Sequence, residues 1–426
     1  GVCLNWGCIP TKSLLKSARV FDYLNHASDY GIIAGGEIKA DFSAIVARSR
    51  NVAGGMSKGV QFLFRKNNIT HIQGYGRVTG NNSVEVEDDE GKKTGYSAGN
   101  IIVATGARSK ELPGLKQDGQ TIIGYREAMT LAKQPASMVV VGSGAIGCEF
   151  ADFYRTIGTD VTLVEFLPRI VPNEDEEVSK QLERAFKKRG IKVLTGSSVE
   201  AAQNSGDKCL VTVKTPKGTE TIECDVVLSA VGVVPNITGI GLEQAGVKTE
   251  NGKIVVDEFY RSSAKCIHAI GDVVHGPALA HVASAEGIVC AEKLAGLNPD
   301  PIDYKNIPAC TYTNPEIASC GLTESAAKEA GYDIMVGKFP FTASGKANAS
   351  GSRDGFVKLI FDSVYGEVLG AHMIGDGVTE LISEIIVARK LETTAYELIK
   401  SMHPHPTMSE AIMEAAAIAM DEGIHL

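Results

Sequence analysis

The sequence has no apolar run long enough to cross a bilayer. Stretches such as Ile101–Ala104 and Met138–Val141 span four residues, where a spanning helix needs about 20. It has no excess of positive charge either. A net charge of −9 with no basic cluster argues against nucleic acid as a partner. There is no cysteine framework: Cys148, Cys209, Cys224, Cys266, Cys290, Cys310 and Cys320 are scattered, and the odd total of nine fits a reducing cytoplasm. Cys3 and Cys8 are not followed by a second Cys/His pair at zinc spacing, so no metal is expected. No signal peptide is found. There is no initiator Met, and the chain opens inside a motif, so its natural N-terminus is expected upstream.

What is present describes a soluble α/β enzyme of two to four domains: 426 residues, 44% apolar, 22% charged and 46 glycines. The opening stretch, Gly-Val-Cys-Leu-Asn-Trp-Gly-Cys-Ile-Pro-Thr-Lys, sets four residues between Cys3 and Cys8. In an ideal helix their Cα atoms would stand about 8.7 Å apart, beyond the roughly 4.4–6.8 Å of a disulfide. A bridge there requires a bent first turn, which Gly7 permits. The pair reads as a redox dithiol, a structural disulfide, half a metal site or two buried thiols.

Residues 11–30 have helical periodicity, as does Phe42–Lys66, with a loosening expected at Gly54-Gly55. A β-rich patch covers Thr70–Val78, Ser83–Glu87 and Gly99–Val103, which runs into Ala104-Thr105-Gly106. The strand Met138–Val141 feeds Gly142-Ser143-Gly144-Ala145-Ile146-Gly147 and a helix over Cys148–Thr156. This strand-turn-helix, with Glu165 ending the next strand Asp160–Val164, is the dinucleotide fingerprint. The helix N-terminus receives a pyrophosphate, and the acid favours NAD over NADP. The βαβ pattern is expected to continue through helix Asp175–Arg189 and strands Ile191–Leu194, Cys209–Lys214 and Asp225–Val231. Strands Lys253–Val256 and Cys266–Ile270 follow, the second running into Gly271-Asp272, where an acid could meet a hydroxylated ligand or cap a helix. Pro299–Pro308 reads as a linker. Beyond it, Phe356–Phe361 and Glu367–Ile374 form an expected antiparallel pair, with helices at Val378–Lys390, Tyr396–Ser401 and Met408–Met420. Between the last two, His405 stands five residues before Glu410 in a proline-stiffened loop. The segment reads as a base with its orienting carboxylate, a plain turn, or with His403 a metal pair.

In their order, the stretches 3–12, 104–106, 142–149, 164–167, 269–272, 312–319 and 403–410 resemble the flavin-dependent pyridine nucleotide-disulfide oxidoreductases over essentially the whole chain. The resemblance implies two doubly wound, Rossmann-like domains for FAD and NAD plus a C-terminal α+β dimerisation domain. Its divisions are 1–109 (FAD), 110–236 (NAD), 237–307 (second FAD part) and 308–426 (interface). It implies Cys3 as interchange thiol and Cys8 as charge-transfer thiol, with Lys12 near the flavin and paired with Glu149. FAD contacts are implied at Gly76, Thr105, Gly106, Ala107, Asp272, Ala278, Leu279, Ala280 and His281. NAD contacts are implied at Gly142, Ser143, Gly144, Ala145, Ile146, Gly147, Cys148, Glu149, Glu165, Val199 and Gly232. His405 is the implied base and Glu410 its orienter, acting across a homodimer, and the 405–406 bond could be cis.

The implied reaction is oxidation of protein-bound dihydrolipoamide by NAD, with lipoyl domains of acyltransferases or glycine cleavage carriers as partners. Rival readings are another NAD(P)H-dependent disulfide or mercuric reductase, or a non-catalytic NAD-binding remnant without flavin. The family's first FAD fingerprint, expected before Cys3, is not in the sequence. Val233-Val234 stands where many relatives have arginine, and Trp6 replaces a smaller residue.

Overall fold

A computed structural model describes residues 1–426, which divide into two compact units. The first comprises Gly1–Pro10, Arg50–Lys110 and Gly232–Tyr304. Its parallel element is a pair of strands, Ile101–Val103 beside Ile267–Ala269. Alongside are an antiparallel meander of Tyr75–Gly80, Ser83–Glu87 and Lys93–Ser97 and a ladder joining Ala107–Ser109 to Val233–Pro235. At their carboxyl ends the two parallel strands run into the loop 104–106 and the 3-10 turn Gly271–Val273. The core joins Val78, Ile101, Val103, Ile254, Ile267 and Val273.

The second unit comprises Thr11–Ser49, Glu111–Val231 and Lys305–Leu426. It holds a five-stranded parallel sheet in the order Ile122–Ile123, Val226–Ser229, Ser137–Val141, Asp160–Val164, Lys192–Leu194. The valine-rich middle strands are buried on both faces, as parallel strands with helical crossovers require. Its C-terminal part is a five-stranded antiparallel sheet, Ala309–Thr311, Glu316–Gly321, Val368–Gly375, Phe356–Asp362, Ile334–Pro340, with helices Val378–Lys390, Ala395–Lys400 and Glu410–Ala419. No helix is long and apolar enough to cross a membrane.

Several sequence expectations change. Helix Phe42–Lys66 runs unbroken through Gly54-Gly55, because two helical glycines cost only about 1 kcal/mol each. Lys208–Thr215 is not part of a βαβ unit. It is the middle strand of an antiparallel sheet with Ser198–Ser205 and Gly218–Cys224, and its Cys209, Val211 and Val213 pack under the parallel sheet. Strands Phe356–Asp362 and Val368–Gly375, the expected antiparallel pair, are buried along their whole lengths, since helices Glu410–Ala419, Val378–Lys390 and Glu176–Lys188 pack against them.

Candidate functional site

Helix Val2–Trp6 carries Cys3, and helix Cys8–Asn25 begins at Cys8; Gly7 separates them. A Cβ on Gly7 would stand 3.2 Å from the Cys3 Cα and from the Val2 carbonyl. The break between the two helices is therefore tight for any residue with a side chain. Both thiols are half-buried. Asn5 braces the turn: its carbonyl accepts from Arg50 Nη1 at 2.7 Å, and its Oδ1 from Ser57 Oγ at 2.8 Å. Arg50 also lies 4.3 Å from the Trp6 ring centroid, so the residue that departs from the family pattern is part of the bracing.

The strand Ser137–Val141 ends at Gly142, whose φ is +98° and whose added Cβ would stand 2.5 Å from the Ala230 carbonyl. At Gly147 an added Cβ would lie 1.9 Å from the Gly142 carbonyl, so helix Ala145–Thr156 starts directly on the loop. At Gly144 nothing stands within 4 Å of an added Cβ, and that residue caps the helix without a side-chain bond. The bare Gly144 leaves room for a ligand at the positive end of the helix dipole, which fits a nucleotide pyrophosphate. Glu165 is buried, and its Oε2 accepts from Ser143 N at 2.8 Å and Ser143 Oγ at 2.6 Å, while Oε1 accepts from Leu167 N at 2.8 Å. The acid thus holds the loop itself, with carboxylate lone pairs remaining for a ribose hydroxyl.

Three further residues implied as NAD contacts lie off the 142–147 loop's open face. Cys148 is fully buried, its Sγ 3.2 Å from the Ser143 carbonyl and its thiol pushed up by burial. It packs beneath the loop. Val199 is half-buried against the core beside Val211 and Val213. Gly232 belongs to the first unit, just before strand Val233–Pro235.

In the first unit, Thr105 Oγ1 donates to the Asn236 carbonyl at 2.6 Å, and Asn236 Nδ2 donates back to the Thr105 carbonyl at 3.1 Å. Next to this clasp Gly106 has no atom within 4 Å of an added Cβ, leaving room for a ligand at the strand end. Ala107 is buried in the following strand, and Gly76 lies on the meander opposite Val86. Gly271–Val273 is a 3-10 turn carrying Asp272, and Ala278-Leu279 lead into helix Ala280–Leu294 with Ala280 and His281 at its start. Burial raises the Asp272 carboxyl above its ordinary value. These groups, strand-end backbone and an acid before a helix start, suit a hydroxylated dinucleotide such as FAD.

The sequence reading missed what supports that turn. Glu286, 1% exposed, accepts the Gly271 N–H at 2.6 Å and the Tyr304 hydroxyl at 2.6 Å, and Tyr304 in turn lies 3.0 Å from the Tyr260 hydroxyl. Glu286→Ala would strand the Gly271 N–H and should cost about 1–3 kcal/mol in chemical denaturation. Glu286→Gln, which keeps an acceptor for one partner, should recover part of that loss.

In the second unit Lys12 Nζ donates to both oxygens of Glu149 at 2.8 Å, as the resemblance implied. Their side chains are 32% and 6% exposed, so this is a pair largely removed from water, where charge-assisted bonds are strong.

His405 Nδ1 is 2.8 Å from Glu410 Oε1, and Glu410 Oε2 accepts the Thr407 N–H at 2.8 Å. Burial raises the Glu410 carboxyl, but the Thr407 N–H and the His405 ring outweigh it and hold the group below the usual carboxylate range. An ionised Glu410 is acceptor only, so Nδ1 carries the proton and Nε2 is left as the base. The ring is 78% exposed and open to a substrate. The His405–Pro406 bond is cis, as is Asn314–Pro315. His403 does not join it as a metal pair: its Nε2 meets Glu384 Oε1 at 2.8 Å and its Nδ1 the Ser401 carbonyl at 3.0 Å. No group of three or more potential ligands that could hold a metal ion is present.

Comparison with known proteins agrees with this geometry. The profile of pyridine nucleotide-disulphide oxidoreductases matches residues 1–287, and that of the family's dimerisation domain matches residues 307–416. The chain is 47% identical to a dihydrolipoyl dehydrogenase of Rhizobium etli, over 97% of this chain and 90% of the relative. It is 45% identical to that of Zymomonas mobilis, over 100% and 91%. Among solved structures, LpdA of Mycobacterium tuberculosis superposes with a TM-score of 0.90 at 29% identity, over 98% of this chain and 90% of that one. The chain belongs to the pyridine nucleotide-disulphide oxidoreductases, a family that works with FAD and NAD.

Proposed function

We propose that the chain is a dihydrolipoyl dehydrogenase, which oxidises protein-bound dihydrolipoamide to lipoamide and reduces NAD. The observation that carries this reading is the His405–Glu410 pair, an oriented and exposed base, in a chain that opens on two cysteines at a helix junction. Relatives of that name at 45–47% identity over nearly the whole chain support it. We assign FAD to segments 1–109 and 237–307, NAD to 110–236 and the homodimer contact to 308–426. The lipoyl domains of acyltransferases or glycine cleavage carriers are the proposed partners, and the cytoplasm the proposed location.

In this reading the oxidised enzyme holds a Cys3–Cys8 disulfide. His405 Nε2, acting across the proposed homodimer contact, takes the proton of one substrate thiol, and the thiolate attacks the Cys3 Sγ of the facing protomer. Cys8 leaves as a thiolate at the start of a helix, where the dipole favours negative charge. The second substrate thiol then closes lipoamide and releases Cys3. One disulfide has been made and one broken, and two electrons rest on the cysteine pair. Bound FAD supplies the two-electron relay from that pair to the nicotinamide. Gly142–Gly147 and Glu165 would hold the nucleotide, and Lys12, fixed by Glu149, would supply positive charge to a bound flavin.

The test is the visible spectrum of the purified protein. A flavin spectrum should gain a long-wavelength charge-transfer band on addition of dihydrolipoamide and lose it when NAD is added, as NADH appears. A colourless protein that binds NAD without turnover would instead mark an NAD-binding remnant and overturn the reading.

A further inference from the structure

The motif Tyr312–Ser319 received no role in the reaction above, yet its first residue touches both halves of the Lys12–Glu149 pair. The Tyr312 N–H donates to Glu149 Oε1 at 3.0 Å, and Lys12 Nζ lies 4.3 Å from the centroid of the Tyr312 ring. A lysine ammonium has three protons. Two are directed to the carboxylate oxygens, and the ring face receives the remaining positive charge through its quadrupole.

The segment that carries Tyr312 is itself fixed to the helix that carries Glu149. Asp152, one turn beyond Glu149, accepts the Asn314 N–H at 3.0 Å through Oδ2. Arg189 bonds Asp152, Thr156 Oγ1 at 2.6 Å and the Asn314 carbonyl at 3.1 Å. Thr313 Oγ1 closes the turn on the Pro315 carbonyl at 2.7 Å. Two acids on one face of helix Ala145–Thr156 thus bind the backbone of 312 and 314 and fix the point from which the Tyr312 ring reaches Lys12.

We infer that Tyr312 is a positioning residue, whose backbone and ring together fix the Lys12 ammonium and the Glu149 carboxylate in one arrangement. The consequence for the flavin rests on the proposed reading of Lys12 as the cation beside it. The ring, not the hydroxyl, does the holding, so the two can be separated by substitution. Lys12 and Tyr312 border a cavity of about 330 Å³ also lined by Arg19, Asp152 and Arg189, through which a small reagent can reach the amine.

The experiment compares wild type, Tyr312→Phe and Tyr312→Leu holoenzyme. Acylation of Lys12 by acetic anhydride, followed by peptide mass spectrometry, should be about tenfold faster in Tyr312→Leu and within twofold of wild type in Tyr312→Phe. Equal labelling in all three overturns the inference. A second readout is the charge-transfer band of the dihydrolipoamide-reduced enzyme, which should shift or weaken in Tyr312→Leu and return in Tyr312→Phe. Faster Lys12 labelling with an unchanged band upholds the positioning role and overturns the placement of Lys12 beside the flavin. A band altered equally in Phe and Leu assigns the effect to the hydroxyl and overturns the role of the ring.

Discussion

Replacing His405 with Gln should lower the rate of dihydrolipoamide oxidation by about 10²- to 10⁴-fold, the usual worth of a positioned general base. Electron transfer from NADH to an artificial dye should stay within about twofold. The two assays separate because the dye reaction needs the nucleotide and flavin sites but no deprotonated substrate thiol. The structural case is local. Glu410 is fixed by the Thr407 N–H at 2.8 Å independently of the histidine, and Thr407 Oγ1 ties the loop to the Pro404 carbonyl at 2.7 Å. The loop should therefore survive the substitution, with Gln bonding Glu410 but unable to take a proton. Glu410→Gln should cost less, because it leaves the imidazole in place and removes only the charge that fixes its tautomer. Equal loss of lipoamide and dye activities in His405→Gln would place the damage in folding or flavin binding and remove His405 from the chemistry.

The parts of the molecule that were legible in the sequence are those whose signal is local. Asp160–Val164 was bounded as it stands, because its apolar run is closed by a turn on one side and by Glu165 on the other. The 142–147 loop was legible because the spacing of its glycines follows from how closely strand, loop and helix approach. Helix Val378–Lys390 is legible because Gly377 precedes it and the helical periodicity breaks after Lys390. What was illegible depends on pairing across the chain. Nothing near Glu286 shows that it holds Gly271, fifteen residues away, or that Tyr304 completes the network. The antiparallel sheet of 198–224 carries the same alternation of valine and polar residues as a βαβ strand would at its edge, and only its neighbours distinguish them. Tyr312 lies in a legible motif, but its contact with Lys12 spans 300 residues.

Lys358 is the extreme case of such illegibility, and removing its charge should have the largest effect on stability. It lies in a strand that reads as apolar, it is 2% exposed, and it stands opposite His372 in register. Its ammonium meets Asp175 at 3.1 and 3.2 Å, Glu177 at 2.9 Å and Glu324 at 2.7 Å. Burial lowers its proton affinity, but the three carboxylates more than reverse that and hold it above the ordinary lysine range. Burial pushes the proton affinity of the neighbouring His372 ring down, which works against a second buried cation there. Lys338 and Lys328 reach Glu177 and Glu324 only from the exposed side. Lys358→Met, close in volume, leaves buried Asp175 beside two like charges and should cost about 3–5 kcal/mol at pH 7 by urea unfolding. The pH dependence has a definite sign. The Lys328 and Lys358 ammonium groups, against burial, hold the Glu324 carboxyl at about 2, below an unfolded value near 4.3. Its stabilising contribution is therefore complete above the unfolded value and is lost as pH falls towards 2. In Lys358→Met that depression shrinks, and protonation relieves repulsion among the carboxylates instead. The stability gap between wild type and Lys358→Met should accordingly narrow from pH 7 to pH 4. A gap that stays constant over that range would mean the lysine stabilises the sheet through packing of its stem rather than through its charge.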